Sequence, residues 1–303
     1  MDFARFRQWI IAQVALGALG ALKLLPADAA LNFAARQARR FGPKLRRHKL
    51  VLTNLRNAFP EKSAAEIDAL AVESWEHIGR MAAEYIFFDK LFKPEELRAG
   101  TGRVELVGAE HVEELYARPR AYICMTAHTG NFEVLPHVAT AFGNPVAILF
   151  RPPNNPYIAA HLAKLRGAGS DRLVPSHAGS SMALARQLAS GKGVGILVDQ
   201  KFKRGLDTHF FGLPVKTNPL VPRLARQFDC DVLPVRSVRL PNNRFRIEVE
   251  APITLPRDAE GLVDVEAATQ AINDKVEAWV RDYPPQWLWY HDRWDIKKSV
   301  RQG

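Results

Sequence analysis

From about residue 104 onward, short apolar runs alternate with segments of helical period, and this alternation narrows the possible folds more than any other feature. Residues 121–125, 146–150, 194–198 and 232–238 are short, continuously apolar and bounded by turn residues, so they read as buried strands. Residues 132–142, 155–166, 180–189 and 219–228 carry three- and four-residue apolar spacing and read as the intervening helices. A strand at 244–249 and a helix over 264–282 complete the pattern. Such a chain is expected to fold as α/β: a mixed, largely parallel central sheet flanked by helices. Ahead of it, residues 1–95 read as helical. Ser63-Ala-Ala-Glu66 after Pro60 is a capping box, and Ile67, Leu70, Ala71, Trp75, Ile78, Ala82 and Tyr85 follow at helical steps. The expected organisation is an N-terminal anchor helix over 1–25, a basic helical region over 26–100 and an α/β domain over 101–303.

Charge says what this chain prefers to meet. Lys and Arg number 42 against 32 acidic residues, a formal charge of +10 that favours an anionic partner. Arg36, Arg39, Arg40, Lys44, Arg46, Arg47 and Lys49 fall in one stretch without an acid. Just before it, residues 9–25 are apolar apart from Gln13 and Lys23, at about the lower length limit for a spanning helix. A shallow or spanning membrane anchor followed by a basic face against anionic lipid is the expectation. Arg5 and Arg7 ahead of the run, with Ala27-Asp28-Ala29 behind it, leave a secretory leader open, as does the simpler case of a structural helix. Cys124 and Cys230 make neither a disulfide framework nor a cysteine-based zinc site, and Cys124 among apolar neighbours reads as core.

In open α/β sheets ligands bind beyond the carboxyl ends of the strands. After the 121–125 strand comes Thr126-Ala-His-Thr-Gly-Asn-Phe-Glu133; after 146–150 comes Arg151-Pro-Pro-Asn154; after 194–198 comes Asp199-Gln200-Lys201. Histidine, carboxylates, an arginine and amides therefore converge on one edge of the sheet. If Gly130 permits a tight turn, Glu133 in the first helical turn can fold back on His128, and a carboxylate on one imidazole nitrogen raises the basicity of the other. The alternative is a capping carboxylate beside an incidental histidine. Arg151 has the planar fork for a phosphate or carboxylate, or for a surface ion pair. Asp199 orients a substrate group or caps a turn. The sequence lacks His-Glu-x-x-His, Gly-x-Ser-x-Gly, Walker and Gly-x-Gly-x-x-Gly motifs, which removes most support for metal, serine-nucleophile and nucleotide chemistry.

These motifs carry a resemblance. Thr126-Ala-His-Thr-Gly-Asn-Phe-Glu133 resembles the His-x4-Asp/Glu signature of the glycerolipid acyltransferases, and its Gly-Asn-Phe-Glu form is similar to the lipid A late acyltransferases of the lauroyl and myristoyl type. Asn54-Leu-Arg-Asn-Ala-Phe-Pro-Glu61, Phe150-Arg-Pro-Pro-Asn-Asn-Pro156, Asp199-Gln200 with Phe210-Phe-Gly212 and Thr217, and Pro284-Pro-Gln-Trp-Leu-Trp-Tyr-His-Asp-Arg-Trp294 extend the likeness over nearly the whole chain. Pro285 departs from the usual acid of the closing motif, and Lys201-Phe202 from the usual residues after Asp-Gln.

The resemblance implies an acyltransferase that moves a fatty acyl chain from acyl carrier protein to a hydroxyl of a lipid A precursor. It implies the cytoplasmic face of the inner membrane, contact with inner-membrane lipids, and neither cofactor nor nucleic acid. His128 and Glu133 would be catalytic. Asn131, Arg151, Asp199, Gln200, Gln286, His291 and Arg293 would bind substrate, with Gly130 and Asn131 serving the oxyanion. In the closing segment Trp287, Trp289 and Trp294 either pack over the core or form a rim that grips substrate. Two other readings stay open: an acyltransferase for a glycerophospholipid or glycolipid acceptor, and a non-catalytic basic membrane-binding protein.

Overall fold

The structure, a computed structural model, describes residues 3–117, 120–143, 146–150, 155–160, 173–175 and 179–295. The N-terminal part is helical: α1 (Phe3–Leu22), α2 (Ala27–Phe41), α3 (His48–Ala58), α4 (Ala64–Glu84), α5 (Phe88–Leu91) and α6 (Pro94–Arg98). Both halves of the capping box form at α4, since Ser63 Oγ accepts from the Glu66 N–H and Glu66 accepts from the Ser63 N–H. Small residues let α2 and α4 pack closely: a Cβ on Gly79 would lie 2.3 Å from the Ala38 Cβ.

There follow β1 (Val104–Val107), α7 (Ala109–Ala117), β2 (Tyr122–Thr126), α8 (Val134–Ala141), β3 (Ala147–Phe150), β4 (Leu173–Pro175), α9 (Ser180–Ala189) and β5 (Gly193–Leu197). The chain continues through β6 (Lys201–Phe210), β7 (Leu213–Thr217), α10 (Leu220–Phe228), β8 (Asp231–Leu240), β9 (Arg244–Val249) and α11 (Val265–Asp282). Of the helix expected over 155–166, only 155–160 fall among the described residues, and 156–160 are helical.

Seven strands form one sheet in the order β1-β9-β8-β2-β5-β3-β4. Strands β8, β2, β5, β3 and β4 run parallel, while β9 pairs antiparallel with β8 and carries β1 parallel to itself. The sheet is thus mixed and largely parallel. Its period-two alternation divides the core. Ile123, Met125, Val194 and Ile196 face α3, α4, α9, α10 and α11, where Leu55, Ile67, Leu184, Leu224 and Ile272 are buried. Tyr122, Cys124, Leu233 and Ile247 face the opposite way, toward α2, α5, α6, α7 and α8, with Leu31, Leu91, Leu97 and Val138. Each fully buried aliphatic side chain contributes roughly 1.5–3 kcal/mol over an exposed one. Because α3 and α4 share the core of the sheet, the basic helical region and the α/β part are packed as one body.

The β6–β7 ribbon, β1, β4 and α7 are not foreseen from sequence. β6 reads Lys-Phe-Lys-Arg-Gly-Leu-Asp-Thr-His-Phe and, among the described residues, pairs only with β7 as a two-stranded ribbon, so it carries no apolar run of the kind that marks a buried strand. On the ribbon's turn, Phe211 at φ 53° and Gly212 at φ 70° take the left-handed conformation that suits a tight hairpin. Among the described residues, no helix is long and apolar enough to cross a membrane. α1 nevertheless exposes Trp9, Ile10, Ile11 and Val14, the last at 68%.

Candidate active site

In the sheet register Thr126 of β2 stands beside Leu197 of β5. Two residues further along each parallel strand come His128 and Asp199, which places them side by side. The His128 Nδ1 lies 2.7 Å from Asp199 Oδ1, and the His128 backbone N–H donates to Asp199 Oδ2 at 2.8 Å. The Trp287 indole donates to the same Oδ2 at 2.8 Å. Burial works to raise the Asp199 carboxyl. The charge of the His128 ring and the hydrogen bonds from His128 and Trp287 outweigh it and hold the group at about 2. An ionised Asp199 accepts from Nδ1–H, so the Nε2 lone pair is the free base of this tautomer. Gln200 Nε2 sits 3.1 Å from it, positioned to donate its amide hydrogen.

The carboxylate on the imidazole is therefore Asp199, where the sequence points to Glu133. Glu133 occupies the cap position of α8, and its side chain lines the same cavity as His128 and Gln200. The turn between them needs Gly130. Its φ is 57°, and a Cβ there would stand 2.3 Å from the Ser237 carbonyl oxygen.

The expected substrate-binding residues divide. Gln200 and His291 line the cavity. His291 accepts from the Lys201 N–H at 3.1 Å, and burial, opposed by the charge of Asp199, pushes its imidazole down to about 4. Three others hold the scaffold. Asn131 is 1% exposed, donates to Glu84 Oε2 at 2.8 Å and accepts from the Glu133 N–H at 3.1 Å in the turn before α8. Gln286 brackets Arg239 of β8, accepting from its N–H at 2.7 Å and donating to its carbonyl at 2.9 Å. Arg293, also 1% exposed, donates to the Lys216 carbonyl, Thr217 Oγ1 and Asn273 Oδ1. Arg151 lies outside the described residues.

The closing segment packs onto the core. Trp287 and Trp289 are buried with their rings 4.7 Å apart in edge-to-face contact. Thr129 bridges to Trp287, and the Gly130 N–H donates to the Gln286 carbonyl at 3.0 Å, so this segment clamps the His128 loop.

Beyond His128 a cavity of about 1220 Å³ opens between the sheet and α8. It exceeds the roughly 300–1,000 Å³ typical of small-molecule pockets. Its walls are mostly apolar, with Phe132, Leu197, Val235, Ile247 and Val249 among them, while Arg47, Gln200, Lys201 and His291 line its polar part. Lys201 also lines a second recess of about 210 Å³, together with Lys203, Lys216 and Arg293. Neither cysteine is an activated nucleophile: burial pushes Cys124 up to about 12 and Cys230 up to about 11. The arrangement can deprotonate a hydroxyl at His128 Nε2 while an apolar chain lies in the cavity. The sequence offers Asp199 as a site residue without marking it as the partner of His128. The signal was that both residues follow strands which pair in parallel.

Comparison with known proteins identifies the family. The model of the bacterial lipid A biosynthesis acyltransferases matches residues 2–296. A lipid A biosynthesis acyltransferase of Haemophilus influenzae is 22% identical over 190 residues, 62% of this chain. The matched part spans 58% of the length of that relative. A His-Asp pair at the edge of a parallel sheet, facing a long apolar cavity, and a match over nearly the full length converge on one assignment: the chain belongs to the bacterial lipid A biosynthesis acyltransferase family.

Proposed function

We propose that this protein transfers a fatty acyl group from acyl carrier protein to a hydroxyl of a lipid A precursor, at the cytoplasmic face of the inner membrane. The observation that carries the reading is His128, its Nδ1 held by an ionised Asp199 and its Nε2 beside a large apolar cavity.

The hydroxyl of the acceptor, far too weak an acid to ionise alone, gives its proton to His128 Nε2 as its oxygen attacks the thioester carbonyl. The imidazolium is stabilised by Asp199. Collapse of the tetrahedral intermediate forms the ester and breaks the C–S bond. The departing thiolate, whose acid has a pKa near ~8.5, takes the proton back from His128. The chemistry needs no acyl-enzyme, in keeping with two cysteines held protonated by burial. The Gln200 amide beside Nε2 is a donor for the oxyanion. Thr126 Oγ1, buried without a hydrogen-bond partner among the described residues, is a second. Glu133 on the cavity wall holds the acceptor. Arg47 and Lys201 on the cavity wall suit the phosphates of the acceptor or of the carrier's prosthetic arm. The exposed apolar side of α1 and the basic residues of α2 suit an anionic membrane surface.

The test is transfer of radiolabelled acyl groups from acyl carrier protein to a tetra-acylated lipid A precursor. We expect transfer by wild type, none above background with His128→Ala, and a loss of roughly 10³–10⁴-fold in kcat with Asp199→Asn, which spoils the tautomer but keeps the shape. Full activity in a folded His128→Ala variant would overturn the mechanism. Transfer to a glycerophospholipid in place of the lipid A precursor would overturn the acceptor.

A further inference from the structure

Three glycines punctuate the β5 region, and they answer to different causes. Gly191 has φ 73° in the turn before the strand and needs its conformational freedom. At Gly193 a Cβ would stand 2.3 Å from the Tyr122 Cζ, so the tyrosine ring already fills that position. Gly195 has no such reason. A Cβ there would meet Ile148 Cγ1 at 3.4 Å and Val146 Cγ2 at 3.5 Å, ordinary van der Waals contact, and its φ is not positive. An interior strand glycine is nonetheless destabilising relative to alanine. What the residue provides is space: alternation turns Val194 into the opposite core, while Gly195 lines the cavity.

Its level in the cavity follows from the register. Gly195 pairs with Cys124, which lines the same cavity. Gly195 stands four residues before Asp199 and Cys124 four before His128, about 13 Å of extended strand. Zigzag C–C bonds of about 1.5 Å carry a saturated chain across that distance in about ten carbons.

We propose that Gly195 is a specificity-determining residue that sets acyl-chain length. Together with Cys124 it keeps the cavity open at the level a chain of about ten carbons reaches, and a side chain at position 195 closes it there. This rests on the reading that the cavity takes the acyl chain of the donor.

The experiment compares wild type, Gly195→Ala and Gly195→Leu with octanoyl, decanoyl, dodecanoyl, tetradecanoyl and hexadecanoyl carrier proteins as donors. Gly195→Leu is expected to lower the ratio of dodecanoyl-or-longer to octanoyl kcat/KM by about tenfold or more, with Gly195→Ala shifting it less in the same direction. An unchanged ratio in folded variants overturns the inference. Binding of the corresponding free fatty acids, followed by thermal shift, separates it from the acyl-transfer reading. If wild type transfers no acyl group but Gly195→Leu selectively loses the long fatty acids, the inference stands and the transfer reading falls. Equal chain-length dependence in wild type and both variants, or no binding by wild type, overturns it. Should the leucine variant fail to fold, the alanine variant and Cys124→Leu, from the neighbouring strand β2, give the same readout.

Discussion

At the scale of single residues, the two histidines at the mouth of the cavity are set to different tasks by their neighbours. His128 has an ionised carboxylate on one nitrogen and an amide on the other. His291 receives a backbone N–H on Nε2, and its burial favours the neutral ring. The folded His291 titrates at about 4 and the unfolded one at 6.5, so between those values the unfolded chain binds a proton that the native protein refuses. Stability therefore rises with pH across this window and is lost as pH falls through it, by up to about 3 kcal/mol from this one group. His291→Gln is expected to flatten the pH dependence of the urea midpoint between those limits, and an equally steep dependence in the variant would contradict it. His291 lines the cavity, and the closing motif offers Gln286 and Arg293 alongside it as expected substrate-binding residues. Those two spend their hydrogen bonds on backbone and buried side chains instead. A motif records which residues occur together; it does not say which of them face solvent, substrate or core.

At the scale of elements, one buried ion pair ties the helical region to the sheet and to the catalytic loop. Glu84, the last residue of α4, is fully buried and pairs with both terminal nitrogens of Arg239 in β8, at 2.9 Å for Nη2. Asn131 donates to the same carboxylate, so the loop that carries His128 is moored to α4. Glu84→Ala strands a buried guanidinium and is expected to cost about 3–5 kcal/mol. The double replacement Glu84→Leu with Arg239→Met removes both charges and is expected to recover most of that stability in urea unfolding. Acyl transfer should stay depressed in the double variant, because Asn131 has lost its anchor. Recovery of both stability and transfer would show the pair to be merely structural. None of this is legible in sequence: Glu84 and Arg239 are 155 residues apart, and nothing in the local pattern around either marks a partner.

At the scale of the whole molecule, apolar and basic groups share the N-terminal face. Trp9, Ile11 and Val14 of α1 are exposed, as are Phe33 and Phe41 of α2, and Arg40 and Lys44 lie over the Phe41 ring. Exposed apolar groups beside cations fit an interface between lipid headgroups and water. Sedimentation with vesicles containing anionic phosphatidylglycerol is expected to capture the wild-type protein. Capture should weaken with salt, as the basic contribution is screened, and fall further in an Ile11→Glu/Val14→Glu double variant. Undiminished capture of the variant would move the contact elsewhere on the surface.

Local sequence determined most of the elements, though not the β6–β7 ribbon, β1, β4 or α7, and the edge of the sheet at which chemistry would gather. Apolar period, capping residues and turn glycines act over a few residues. Thus α4 begins at its capping box, α9 spans 180–189 as expected, and β9 spans 244–249. His128, Glu133, Asp199 and Gln200 were all legible as residues following strands. Which carboxylate meets the imidazole was a different kind of question. Proximity in sequence favoured Glu133, five residues from His128. The parallel pairing of β2 with β5 brings Asp199 closer in space, 71 residues along the chain, and buries it where a charge must be paired. Strand order and register decided that contact, as they decided the level of Gly195 in the cavity. Both are properties of the assembled sheet, arising from long-range packing that no window of neighbouring residues contains.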